Sequence, residues 1–283
     1  MKNPAEYYSQ QYNARAAIPD HPRIFTRWLK DSAEVRRGQA GLFDLPYGES
    51  SGERLDFFPT SRSDAPLLVF IHGGWWRSLD KSDFSFVAPA FTRAGFNVAL
   101  PNYTLAPQAS IGEIVLQQLR AVAWLYRHAE AYDFDPRRIV VAGHSAGAHL
   151  AAMTMAAVWP VFGDDLPADL VKGGILMSGI FDLEPVRHAG FVNVDLKLEE
   201  ADIAVLSPAL MPQAHPAPFI TACGALESEE FQRQTRLIGD AWKTGHRSEV
   251  PLPGLNHLTI CDAFADPSHP LHLASIDLLH AVK

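Results

Sequence analysis

"RIVVAGHSAGAHLAAMTMAAVW" (residues 138–159) decides the fold. It opens on a short apolar, β-branched run and passes directly into a longer stretch of helix formers. At the junction stands G-x-S-x-G, as Gly143-His144-Ser145-Ala146-Gly147. A strand that turns sharply into a helix around a serine needs glycine two residues away on either side, because side chains there would clash across the turn. The same geometry lifts Ser145 to the carboxyl edge of a sheet and sets it at a helix N-terminus, where the dipole and free N–H groups favour developing negative charge.

Other short apolar runs surround this one: "LLVFI" (67–71), "FNVAL" (96–100), "GGILMSG" (173–179) and "PFITACG" (218–224). Their continuous apolarity suits strands covered on both faces. Between them, "IGEIVLQQLRAVAWLYRHAEAY" (111–132) places Ile111, Ile114, Val115, Val122 and Leu125 at helical spacing. "SEEFQRQTRLIGDAWK" (228–243) and "PLHLASIDLLHAVK" (270–283) read as two further helices. Strands alternating with helices predict an α/β chain with a mostly parallel central sheet, helices on both faces and a small or absent cap. No repeat, low-complexity stretch or linker divides residues 1–283, so a single domain is expected. Residues 1–45 are polar, aromatic and poorly periodic, and read either as an arm over the core that could cover the active site or as a partly disordered tail.

"HGGWWRSLDK" (72–81) follows the first of these strands. Attack of a serine on a carbonyl creates an oxyanion, and each preorganised N–H donor facing it is typically worth about 10²–10³ in rate. The amides of Gly73 and Gly74, with that of Ala146, are the expected donors. Trp75 and Trp76 either hold this loop from beneath or wall a pocket.

A serine hydroxyl needs a base, and in this arrangement the acid precedes the histidine in the chain. Of 12 histidines, His257 in "PLPGLNHLTICDAF" follows the last strand-like segment, "SEVPLPG". Glu227, just past "PFITACG", is the expected acid, with Glu229 second; Glu229 and Glu230 also suit a helix first turn. Asp182 reads as a turn residue. Tyr103, His149 and Phe191 complete the candidate pocket with Trp75 and Trp76, whereas His144 reads as packing.

A net charge of -8 disfavours nucleic-acid and anionic-membrane partners, which need a basic surface. No signal-peptide-like start or bilayer-length apolar run is present, and Cys223 and Cys261 have no metal or disulfide spacing; a cytoplasmic protein with free thiols is expected. No metal or cofactor is called for, and a homodimer is left open.

Taken together, the chain resembles the α/β-hydrolases, and within them the kynurenine formamidase (arylformamidase) branch of the esterase/lipase group. The matching stretches are "HGGWW" (72–76), "NYTLAP" (102–107), "GHSAGAHL" (143–150), "FDLEPV" (181–186), "SP" (207–208), "ESEEFQRQ" (227–234) and "NH" (256–257). "YGESSGERLDFFP" (47–59) is similar to that branch's opening strands, and the match loosens before Tyr47. The branch usually carries aspartate where this chain has Glu227. The resemblance implies a cofactor-free hydrolase acting on formamides of aromatic amines or on small esters. A broad short-chain carboxylesterase and a non-catalytic binding protein on the same scaffold are the alternatives.

Overall fold

Strand β5 (Phe134–His144) lies near the middle of an eight-stranded sheet and ends one residue before Ser145. The structure, a computed structural model, describes residues 3–282, so residues 1, 2 and 283 of the expected arm and terminal helix lie outside it. The other strands are β1 (Leu42–Pro46), β2 (Arg54–Phe58), β3 (Ala65–Ile71), β4 (Asn97–Pro101), β6 (Val171–Met177), β7 (Phe219–Gly224) and β8 (His246–Leu252). Their order is β1-β2-β4-β3-β5-β6-β7-β8. β1 and β2 run antiparallel at one edge, and every pairing from β4 onward is parallel.

Alternation along the strands explains why the sheet is covered twice. Leu67, Val69 and Ile71 of β3 enter one core, whereas Leu68 and Phe70 enter the other. On the first face lie the helices Ile111–Arg127 and Ala146–Ala156. The former starts on a capping box in which Ser110 and Glu113 each accept from the other's backbone N–H. The second face is covered by Ala88–Arg93, Thr259–Ala265 and Pro270–Ala281.

The N-terminal segment is mostly helical from Pro4 to Gly38. It forms α1 (Pro4–Tyr12), α2 (Ala14–Ala17) and α3 (His21–Gly38). Arg27 grips Asp262 with two hydrogen bonds of 3.0 and 2.6 Å, and Trp28 Nε1 donates to the same carboxylate at 2.8 Å. These contacts hold α3 against the C-terminal part of the chain. Between β6 and β7 only short helices occur, Glu184–Arg187, Gly190–Leu196 and Glu200–Leu206, in keeping with a small cap. No described helix is long and apolar enough to cross a membrane.

Candidate active site

The turn after β5 holds Ser145 at φ 57° and ψ -121°, a left-handed conformation costly for a residue with a Cβ. Both flanking glycines are sterically required. A Cβ on Gly143 would lie 2.1 Å from the Gly147 carbonyl oxygen, and one on Gly147 would lie 2.0 Å from that of Ile71. The Ser145 N–H donates to Met177 O at 2.9 Å, which ties the turn to the end of β6.

The loops after β7 and β8 reach the same edge. His257 Nε2 lies 3.0 Å from Ser145 Oγ, and its Nδ1 lies 2.6 Å from Glu227 Oε2. With Nδ1 protonated toward the carboxylate, Nε2 is free to accept the serine proton. The other oxygen of Glu227 accepts from Ser178 Oγ at 2.6 Å and from the Gly224 N–H at 2.7 Å, so the buried carboxylate has little freedom to rotate. Asn256 Oδ1 accepts from the N–H groups of Leu258 and Thr259, both at 3.0 Å, and so fixes the turn that carries His257. Glu229 is exposed in the helix first turn, away from this chain of contacts.

His144 contributes more than packing. Its Nε2 donates to the carbonyl of His257 at 2.7 Å, and its ring lines the cavity in front of Ser145. Burial, followed by the neighbouring His257, holds its pKa well below the usual histidine value, so it remains neutral.

The glycine loop passes on the other side of Ser145. A Cβ on Gly73 would sit 2.7 Å from His144 O and 3.1 Å from Ser145 Cβ, so only glycine allows this approach. Gly74, Trp75 and Trp76 all have positive φ. His72 Nδ1 donates to Gly73 O at 2.7 Å, and because the peptide is planar this also sets the direction of the Gly74 N–H. Gly74 O accepts from Arg77 N and Ser78 Oγ.

Trp75 and Phe191 line a cavity of about 390 Å³ that includes Gly74, Ser145 and His257. The other three expected pocket residues are core. Trp76 is fully buried and packs edge-on against His149, their ring centroids 5.0 Å apart. His149 points into the protein and donates from Nε2 to Leu206 O at 2.7 Å. Tyr103 stacks on His72 at 4.4 Å and donates to His72 O at 3.0 Å, so it supports the glycine loop from behind. For Trp76 the reason is the left-handed run at 74–76, which turns it to the side of the loop opposite Trp75, whereas His149 lies on the core-facing helix Ala146–Ala156 and Tyr103 just past the end of β4.

The N-terminal arm, read from the sequence as a possible cover of the site, supplies lining residues that the sequence did not single out. Asn13, Ala14 and Arg15 from the α1–α2 region, with Phe25 and Trp28 from α3, form the outer wall of the cavity. Tyr12, just before them, is buried edge-on between Trp75 and Phe231, and Phe231 in turn lies 4.2 Å from the His257 ring. Among the described residues no group of three or more His, Cys, Asp or Glu side chains could hold a metal ion.

Comparison with known proteins shows the family. The kynurenine formamidase of Salmo salar is 31% identical over 94% of this chain and 92% of its own, and that of Danio rerio is 33% identical over 81% and 78%. The chain belongs to the kynurenine formamidase family. The BD-FAE family model matches residues 55–159, which hold both the glycine loop and the Ser145 turn. A solved structure from Silicibacter sp. tm1040, provisionally described as a thioesterase, superposes with a TM-score of 0.83 at 27% identity, covering 96% of this chain and 98% of that one. Membership in this family makes the protein an α/β-hydrolase in activity as well as in fold.

Proposed function

We propose that the protein is a serine hydrolase that removes a formyl group from an aryl formamide of the N-formylkynurenine type. The observation carrying this reading is the continuous hydrogen-bonded chain from Ser145 through His257 to Glu227, within a cavity walled by Trp75 and Phe191. His257 Nε2 takes the proton of Ser145 as Oγ adds to the formyl carbon. The tetrahedral oxyanion is received by N–H groups of Gly73, Gly74 and Ala146. Glu227 keeps the imidazole in the required tautomer and stabilises its positive charge. His257 then gives its proton to the departing arylamine nitrogen as the C–N bond breaks. Water, deprotonated by the same histidine, adds to the formyl ester and releases formate and free Ser145.

The relatives named as kynurenine formamidases over nearly the whole chain favour the formamide over a general ester. A short-chain carboxylesterase is the second reading, favoured by an accessible cavity and by the fold shared with solved esterases. The test is kcat/KM for N-formylkynurenine beside p-nitrophenyl acetate, with wild type and Ser145→Ala. A strong preference for the formamide, with both activities lost in the variant, supports the formamidase reading. Turnover of the ester alone makes the protein an esterase.

A further inference from the structure

The mouth of the Ser145 cavity carries two guanidinium groups and one carboxylate. Arg77 pairs with Asp195 and lies 5.9 Å from the Phe191 ring centroid. Phe191 and Asp195 are four residues apart on the helix Gly190–Leu196, so one helical face supplies both contacts. That pairing gives Arg77 a carboxylate counter-ion.

Arg15 is different. It is delivered by α2, its Nη2 donates among the described residues to the neutral Ser78 Oγ at 3.2 Å, and its Cζ sits 5.2 Å from the Phe25 ring centroid. Among the described residues no carboxylate pairs with it, although the chain carries 32 acidic residues against 24 Lys and Arg. Arg15 is exposed at the rim of the cavity, and its pKa is lowered, first by partial desolvation and then by the positive charge of Arg77. The arm therefore places an uncompensated, permanently charged fork beside a second cation, facing the space in front of Ser145.

We propose that Arg15 binds a carboxylate on the arylamine half of the substrate, which makes the N-terminal arm a specificity element. This inference rests on the reading of the Ser145 cavity as a hydrolytic site. A formyl group has no room for a charge, so an anion recognised here has to belong to the half that leaves. One unpaired guanidinium suits a monoanion, and a planar carboxylate can accept two parallel N–H bonds from it. Trp75, Phe25 and Phe191 supply aromatic walls to the same cavity of about 390 Å³ that Arg15 and Ser145 line.

The experiment uses Ser145→Ala protein and calorimetric Kd values for N-formylkynurenine and for its decarboxylated analogue, which differ only in the carboxylate. With Arg15 present we expect the carboxylate to tighten binding by about tenfold or more. The ratio should collapse toward one when Arg15→Gln is added and be partly kept by Arg15→Lys, which also controls for folding. An unchanged ratio in Arg15→Gln overturns the proposal. Turnover of both formamides by the protein with Ser145 intact is read separately. If neither is cleaved while the Kd ratio depends on Arg15, the carboxylate site stands and the formamidase reading fails.

Discussion

The Tyr12 hydroxyl donates a 2.8 Å hydrogen bond to Glu230, three residues beyond Glu227, and thereby fastens the N-terminal arm to the helix whose Phe231 ring abuts His257. Gln234 Nε2 donates to the same hydroxyl at 2.9 Å, and Arg233 neutralises Glu230 through two further contacts. The arm is thus part of the wall around the reacting groups, joined to them by a buried polar contact.

Tyr12→Phe removes one partner from Glu230 and one acceptor from Gln234 while keeping the ring. We expect a loss of about 1–2 kcal/mol in stability, read by urea titration. The larger effect falls on KM, because Asn13, Ala14 and Arg15 follow directly and line the cavity. An unaltered KM together with unaltered stability would show that the arm is held by other contacts.

Glu227→Gln keeps the size of the side chain and removes its charge. The amide can no longer stabilise the imidazolium, and kcat should fall by about 10⁴, on the order seen when the acid of such a triad is neutralised. Glu227→Asp shortens the reach to His257 and should lose less. Steady-state kinetics on p-nitrophenyl acetate checks both; equal kcat for wild type and Glu227→Gln would remove Glu227 from the mechanism.

Gly143→Ala and Gly147→Ala drive a methyl into backbone oxygens 2.1 and 2.0 Å away, and neither backbone can yield without displacing β3 or the serine turn. A loss of about 3 kcal/mol or more is expected, or failure to fold. Gly112, in the helix Ile111–Arg127, meets nothing closer than 3.9 Å. Gly112→Ala should therefore stabilise by about 0.5–1 kcal/mol. Urea midpoints of the three variants rank them directly.

Burial lowers the pKa of His149 to about 4, and His72 and His144 shift in the same direction. In the unfolded chain these side chains bind protons near their ordinary value of about 6.5, before the folded protein can. The contribution of His149 is therefore full above about pH 6.5 and is lost as pH drops to about 4, accounting for roughly 3 kcal/mol. His149→Gln retains a donor for Leu206 and cannot charge, so the slope of stability against pH between 6.5 and 4 should flatten without vanishing. An identical slope in the variant would mean that His149 is solvated in the folded protein.

The serine turn was legible because steric need wrote glycine at 143 and 147, and the acid because few carboxylates follow β7 at the carboxyl edge. Side-chain direction was not legible. Trp75 and Trp76 are adjacent and chemically identical, yet one faces the cavity and the other the core, because positive φ at Gly74, Trp75 and Trp76 breaks any simple periodicity. The arm was legible as a segment, but its individual contact residues were not, for a related reason. The buried positions of α3 are Ile24, Trp28 and Ser32, four residues apart but apolar only in part, and what fixes the helix is the polar contact of Arg27 and Trp28 with Asp262, 234 or more residues away. Long-range polar pairing leaves no local pattern to read.

The most direct measurement is intact-protein and peptide mass spectrometry after treatment with a small organophosphate. One phosphoryl adduct, located on Ser145, absent from Ser145→Ala and matched mole for mole by loss of hydrolysis, is the expected result. Full hydrolysis by protein stoichiometrically labelled at Ser145, or unimpaired hydrolysis by Ser145→Ala, would contradict the assignment of Ser145 as the group that attacks substrate.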